Sequence, residues 1–138
     1  MKLEDDRFCF VCGEKNSHGL NLRFTLSDKT LSTEFIPQKY HQGFKDIVHG
    51  GIIGLVLDEV MVNLLWKLGM RAVSAELNIR LKRPAKVGQK ILFKSRISRE
   101  TDKIIYTEAE AKDINNAIIA TATAKCIITN GNLSYGDT

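Results

Sequence analysis

The chain has 138 residues, enough for a domain of ordinary size, and we interpret residues 1–138 as a single domain. Its composition, 43% hydrophobic and 26% charged, is typical of a globular protein that buries a core without disulfide bonds. The net charge of +4 is too small to indicate nucleic-acid binding, and the basic stretches lack interleaved aromatic residues. Three cysteines, an odd number, fit a reducing compartment, so we expect a cytoplasmic location.

The sequence predicts neither a signal peptide nor a membrane span. The first seven residues lack the basic-then-apolar pattern of a signal peptide. One apolar run, from Ile52 to Trp66, is too short to cross a bilayer, and it contains acidic residues.

Hydrophobic periodicity predicts one helix and a series of strands. Apolar and polar residues alternate over residues 20–26 and return over 30–36, which predicts a hairpin after a polar lead-in at 1–19. The segment from Gly50 to Leu68 is apolar around most of its circumference, which predicts a helix buried on most sides. Further strands are predicted over residues 73–82, 91–98, 104–112 and 117–129, followed by a frayed tail at 130–138.

A single long helix with strands before and after it indicates an α+β class. The simplest way to bury such a helix is to wrap around it a curved antiparallel sheet of five to six strands, which is the hot-dog architecture. A lone curved sheet leaves strand edges unpaired, so we expect the protein to form a dimer or a tetramer.

Asp58 is the unexpected polar residue of this helix. At about 100° per residue, Glu59, Asn63 and Lys67 form one polar stripe, which an ordinary solvated face with an ion pair explains. Asp58 lies about 180° from Lys67, among apolar neighbours. An ionised carboxylate there needs a partner, a water-filled cleft or a catalytic task.

Two glycines precede Asp58 on the same side of the helix. Gly51 and Gly54 predict a bare groove that begins at the helix start, where backbone N–H groups near Gly50 lack intrahelical acceptors. Oxyanion donors at one end and a carboxylate further along suit acyl transfer, with Asp58 as either nucleophile or general base. Close packing of the glycines against another element is the alternative interpretation.

The predicted helix begins with the stretch His49-Gly50-Gly51-Ile52-Ile53-Gly54-Leu55-Val56-Leu57-Asp58. This stretch resembles the helix start of the PaaI-type hot-dog thioesterases, in which an acidic residue follows nine positions after the histidine. The run Val73-Ser74-Ala75-Glu76-Leu77-Asn78-Ile79 with Arg83-Pro84-Ala85 resembles the strand and turn that follow this helix in the same family. Cys9-Phe10-Val11-Cys12-Gly13 and Gly19-Leu20 are similar to an N-terminal extension of one branch.

The resemblance implies hydrolysis of an acyl-CoA, with coenzyme A as part of the substrate and no separate cofactor. It implies that Gly50, helped by Gly51, supplies the oxyanion donor and that His49 shapes the helix start or contacts substrate. It further implies that Ser74 orients water or Asp58, in a site that lies across a dimer interface. Many members carry Asn or Gln where this chain has Gly43, and its neighbour Gln42 is the expected substitute.

Two further groups of residues have more than one interpretation. Cys9 and Cys12 form half of a zinc motif, with His18 and Cys126 elsewhere, and reduced thiols without a metal are the favoured interpretation. A cluster of basic residues would suit the phosphates of coenzyme A, although a solvated face explains it as well; it comprises Arg80, Lys82, Arg83, Lys86 and Lys90.

The sequence leaves alternatives to a thioesterase. One is a hot-dog domain that binds acyl-CoA without turnover, in which Asp58 only packs. Another is a hydratase or dehydratase that uses His49 with Asp58. Glu59 is the second candidate for the working acid. We expect acyl-CoA as the ligand, with neither nucleic acid nor a membrane as partner.

Overall fold

The computed structural model describes residues 2–129, so the predicted frayed tail lies outside the described residues. The elements are one long helix, α1 (Gly50–Lys67), a short 3-10 turn at Lys39–His41, and six strands: β1 (Phe24–Ser27), β2 (Thr30–Phe35), β3 (Ala72–Leu81), β4 (Ile91–Glu100), β5 (Ile104–Lys112) and β6 (Ile118–Ile128). This confirms the predicted α+β class and the order of its elements.

The six strands form one antiparallel sheet in the order β1-β2-β4-β5-β6-β3. Helix α1 contacts every strand of this sheet. Alternate residues of β5 and β6 are buried against it, many of them alanines. Small side chains let the backbone of the sheet approach the helix closely, and the core therefore lies between the helix and the inner face of the sheet.

Helix α1 is buried on one face rather than on most sides. His49 caps its start, and Gly69 follows its end with φ of 85°, a left-handed conformation that glycine adopts without strain. Buried side chains such as Val56, Val60 and Leu64 meet the sheet, whereas the opposite face, including Leu55 and Trp66, is only half-buried. Within residues 2–129, no helix is long and apolar enough to cross a membrane.

The first strand begins four residues later than the alternation predicted, because the N-terminal extension takes its hydrogen bonds. The Leu20 N–H donates to the Phe10 carbonyl at 2.8 Å, and the Leu22 N–H donates to the Val11 carbonyl at 2.9 Å. Val11 is itself buried, so the extension contributes to the core. The alternation at residues 20–22 therefore reflects packing against the extension and not against a sheet neighbour.

Strand β3 is an edge of the sheet and has ten residues. Its inward side carries Leu77 and Leu81, which remain 41% and 58% exposed. A long edge strand with exposed apolar side chains is a surface that proteins normally cover. This surface supports the expectation of self-association, which stays a prediction.

Candidate active site

Asp58 and Ser74 come together between α1 and β3. The Ser74 hydroxyl donates to Asp58 Oδ1 at 2.9 Å. A bulge in β3 explains this contact: Ser74 pairs with the buried Cys126, but Glu76 pairs with Lys125, which leaves Ala75 as the extra residue. Strict alternation would have placed Ser74 on the outer face with Glu76, and the bulge turns it towards the helix.

A cavity of about 690 Å³ surrounds this pair. One wall is α1, with Asp58, Glu59 and Trp66, and another is the start of β3. The N-terminal extension forms the third wall, and its contribution is markedly acidic, with Glu4, Asp5, Asp6, Phe8, Cys9 and Cys12. No local pattern indicated that the extension would reach the neighbourhood of Asp58, because the two segments are about fifty residues apart along the chain.

Glu59 faces the two cysteines of the extension, and not Lys67 as the polar stripe predicted. Its Oε1 accepts from the Cys12 thiol at 3.1 Å and from the Cys9 thiol at 3.6 Å. No ion pair joins it to a cation within residues 2–129. Burial raises the pKa of the Glu59 carboxyl, which the thiol hydrogen bonds oppose. Burial and the neighbouring carboxylate also raise the pKa of the Cys12 thiol.

The start of α1 leaves one backbone donor available. The Gly51 N–H donates to Nδ1 of His49 at 2.9 Å, and the Ile52 and Ile53 N–H groups donate to the His49 carbonyl. The Gly50 N–H has no acceptor within the described residues. Gly50 is therefore the donor that a ligand can use. The His49 side chain shapes the helix start by accepting a hydrogen bond from the Gly51 N–H. This bond leaves the Gly51 N–H little capacity to act as a second oxyanion donor.

Basic side chains border a second cavity at this end of the helix. It has a volume of about 680 Å³ and is lined by His49, Gly50, Lys82 and Arg83 together with apolar groups. Lys82 and Arg83 are exposed, and neither forms an ion pair within residues 2–129.

Arg80 points away from this cavity. It pairs with Thr121 of β6, whereas the flanking Ile79 and Leu81 pair with the buried Ala122 and Ala120. Because paired residues of an antiparallel sheet share a face, Arg80 lies on the outer face. The structure thus separates Arg80 from Lys82 and Arg83, with which the sequence had grouped it.

The glycines of α1 pack closely against the edge strand. A Cβ on Gly50 would lie 2.7 Å from Leu81 Cδ1, and one on Gly54 would lie 2.7 Å from Ile79 Cδ1. The groove predicted from Gly51 and Gly54 is therefore filled at Gly54 by Ile79. This favours the packing interpretation of Gly54 over contact with substrate.

Gln42 supports the loop that precedes α1. Its Oε1 accepts from the Asp46 N–H at 3.1 Å, and its backbone bridges to Val48. The neighbouring Gly43 lies against His49, since a Cβ there would be 3.4 Å from the His49 side chain. Gln42 is thus placed to hold the loop that positions His49, and its contact with substrate stays a prediction.

The carboxylate and the free donor are far apart within one chain. Gly50 and Asp58 are eight residues apart on the helix, which corresponds to about 12 Å along its axis. They also border different cavities. A single carbonyl group cannot contact both within one protomer, because a hydrogen bond spans about 3 Å.

Known structures share this fold. A putative thioesterase related to phenylacetic acid degradation, from Ralstonia eutropha, superposes with a TM-score of 0.72 at 23% identity and covers 79% of this chain and 86% of its own. The PaaI protein of the phenylacetic acid degradation operon of E. coli gives 0.73 at 15% identity, covering 78% and 83%. A hypothetical thioesterase from Streptococcus pneumoniae, solved with coenzyme A, gives 0.75 at 15% identity, covering 83% and 89%.

These similarities confirm the predicted hot-dog fold, including its PaaI-like form. No curated protein matches the sequence. A family model described as the thioesterase superfamily matches residues 45–120, which is more than half of the chain and includes α1, β3, β4 and β5. The chain therefore belongs to the thioesterase superfamily.

Proposed function

We propose that this protein hydrolyses the thioester bond of an acyl-CoA, with Asp58 as the catalytic carboxylate. The observation that carries the proposal is the hydrogen bond from Ser74 to Asp58 Oδ1 at the wall of a large cavity. This hydrogen bond fixes the orientation of the Asp58 carboxylate on the central helix of a thioesterase-superfamily chain. It also leaves the second carboxylate oxygen available to act as a base or a nucleophile.

The reaction needs a carboxylate and an oxyanion donor that act on the same carbonyl group. Asp58 takes a proton from water, or attacks the carbonyl itself, while the Gly50 N–H stabilises the negative oxygen that develops. When Asp58 acts as base, the activated water adds to the carbonyl carbon, the carbon–sulfur bond breaks, and the proton held by Asp58 passes to the leaving thiolate of coenzyme A. When Asp58 attacks directly, the same cleavage leaves an acyl–Asp58 anhydride, which a water molecule then hydrolyses to the free acid. Ser74 occupies one carboxylate oxygen and so positions Asp58, leaving Oδ2 for the reaction.

We place each complete site between two protomers. Asp58 and Gly50 lie about 12 Å apart along one helix, so the Asp58 of one chain and the Gly50 of its partner form the pair. A two-fold axis would make two such sites, because each chain contributes both groups. The long edge strand β3, with its exposed Leu77 and Leu81, borders α1 and offers a surface for this pairing.

The cavity beside Gly50 suits the coenzyme A part of the substrate. Lys82 and Arg83 are exposed cations at its border that pair with no acidic group among residues 2–129, and charge-assisted hydrogen bonds to phosphate are stronger than neutral ones. The structural similarity to a Streptococcus pneumoniae protein solved with coenzyme A supports this ligand class. The apolar groups of the same cavity, among them Ile53 and Ile119, would contact the acyl or pantetheine chain.

Thiol release from a panel of acyl-CoAs tests the proposal, with the wild type compared with Asp58→Asn. The amide keeps the shape of the side chain and still accepts from Ser74, but it cannot take a proton. We expect turnover of at least one acyl-CoA by the wild type and a loss of at least about a hundredfold in the variant.

Glu76→Gln is the matched control, because Glu76 is an exposed carboxylate of the same strand as Ser74 on the outer face. It should retain wild-type turnover. Tight binding of acyl-CoA by a wild type that hydrolyses none of the panel would contradict the proposal and indicate a binding domain. Full activity in a folded Asp58→Asn chain would transfer the catalytic task to another group.

A further inference from the structure

The N-terminal extension and helix α1 bring three metal-binding groups together. The Cys9 Sγ, the Cys12 Sγ and a Glu59 carboxylate oxygen all lie within 4.8 Å of one another. The two sulfurs lie 3.6 Å and 3.1 Å from Glu59 Oε1. We propose that these three side chains bind a zinc ion that fastens the extension to the helix beside Asp58.

The distances suit zinc. Tetrahedral zinc, with Zn–S of about 2.3 Å and Zn–O of about 2.0 Å, holds its sulfur and oxygen ligands about 3.5 Å apart. The observed separations of 3.6 Å and 3.1 Å bracket this value. Two soft sulfurs with one carboxylate favour zinc over magnesium or calcium, which prefer oxygen alone.

The backbone of the extension is built to present both sulfurs on one side. The Gly13 N–H donates to the Cys9 carbonyl at 2.8 Å, which closes a tight turn around Cys12. A Cβ on Gly13 would lie only 2.4 Å from the Cys9 nitrogen, so no other residue fits the turn. A C-x-x-C pair on such a turn is the usual half of a structural zinc site.

The surroundings of Glu59 are independent support. This half-buried carboxylate has no cation beside it within residues 2–129, and Asp5 and Asp58 lie close enough to act on it electrostatically. A partly buried acidic cluster without a cation is unfavourable. Both thiols release a proton to solvent when they bind, so the net charge of the three groups together with the ion stays at −1, and what Glu59 gains is a cation in direct contact with its carboxylate. Water completes the fourth position.

The test is metal binding by the full-length reduced chain, stripped with a chelator and titrated with Zn²⁺ and with Co²⁺. We expect one Zn²⁺ per chain and, for Co²⁺, a thiolate-to-metal charge-transfer band. Cys9→Ser and Glu59→Gln should each weaken binding by at least about a hundredfold, because removing a ligand costs at least as much as removing an outer-shell partner. Cys126→Ala, which alters the remaining cysteine, should leave binding intact.

Circular dichroism of each chain shows whether it has folded, and Glu59→Gln keeps the proposal testable if a cysteine variant has not. A folded, reduced wild type that takes up no zinc would overturn the proposal. So would binding that survives in Glu59→Gln and in the Cys9→Ser, Cys12→Ser double variant.

Discussion

The surroundings of Gly50 and of Asp58, which stand nine positions apart inclusively at the start of α1, differ in charge and in solvent exposure. At Gly50 the surroundings are open and basic, with Lys82 and Arg83 beside a backbone N–H that donates to no described residue. At Asp58 they are acidic and sheltered by the N-terminal extension. One end suits a phosphorylated ligand and a developing oxyanion, and the other suits the activation of water.

Under the proposed mechanism, a dimer would divide the reaction between its two subunits. The proposed carboxylate and the proposed oxyanion donor lie on one helix, but the rise of the helix separates them by about 12 Å. Pairing of two chains in opposite orientations would bring unlike ends together. The following predictions test whether the two ends act on one carbonyl group, starting with the largest expected effect.

Removal of the Gly50 donor should have the largest effect. Gly50→Pro deletes the N–H at the first helical position, where proline is tolerated, and His49 already has the extended ψ of 129° that a following proline requires. We expect kcat for acyl-CoA hydrolysis to fall by about 10²–10³, the usual cost of losing one oxyanion donor. Gly50→Ala is the matched control, since it meets the same Leu81 side chain but retains the N–H.

Mixing inactive variants tests the division between subunits directly. In a dimer of one Asp58→Asn chain and one Gly50→Pro chain, each shared site takes residue 58 from one chain and residue 50 from the other. One of the two sites therefore carries both substitutions, and the other carries neither. Random re-association should then restore about a quarter of wild-type activity, because half of the dimers are mixed and each has one intact site. Absence of any recovery, with mixed dimers demonstrated, would place both groups in one chain.

Ser74→Ala should have a smaller effect, because Ser74 acts through Asp58. A hydrogen bond to a charged group contributes about 1.5–3 kcal/mol, so we expect kcat to fall about tenfold or more while KM changes little. Ser98→Ala, which removes an exposed hydroxyl of β4 bonded to the Tyr106 carbonyl, is the control. A rise in KM at unchanged kcat would assign Ser74 to substrate binding.

The smallest effect is expected from the basic border of the cavity. Lys82→Ala combined with Arg83→Ala should raise KM about fivefold, more at low salt than at high salt, since exposed charges contribute up to about 1 kcal/mol each. Arg80→Ala should change KM less, because Arg80 lies on the outer face. Lys94→Ala, an exposed lysine of β4, controls for net charge. An equal effect of all three variants would indicate long-range attraction only.

The amino-acid sequence by itself determined the elements and the unusual carboxylate. Periods of two and of 3.6 residues are local, so the strands and the helix from Gly50 could be predicted to within a few residues. Asp58 stood out for the same reason, since a charge among apolar neighbours can be detected on a helical wheel. The resemblance to a thioesterase family added Ser74, which alternation alone would have placed on the outer face.

Tertiary structure decided which of these residues meet. A bulge of one residue turned Ser74 towards Asp58, and packing of Ile79 filled the space beside Gly54. The contact of Cys12 with Glu59 joins positions 47 residues apart. Such contacts depend on how the sheet and the extension close around the helix, and no local pattern in the sequence carries that information.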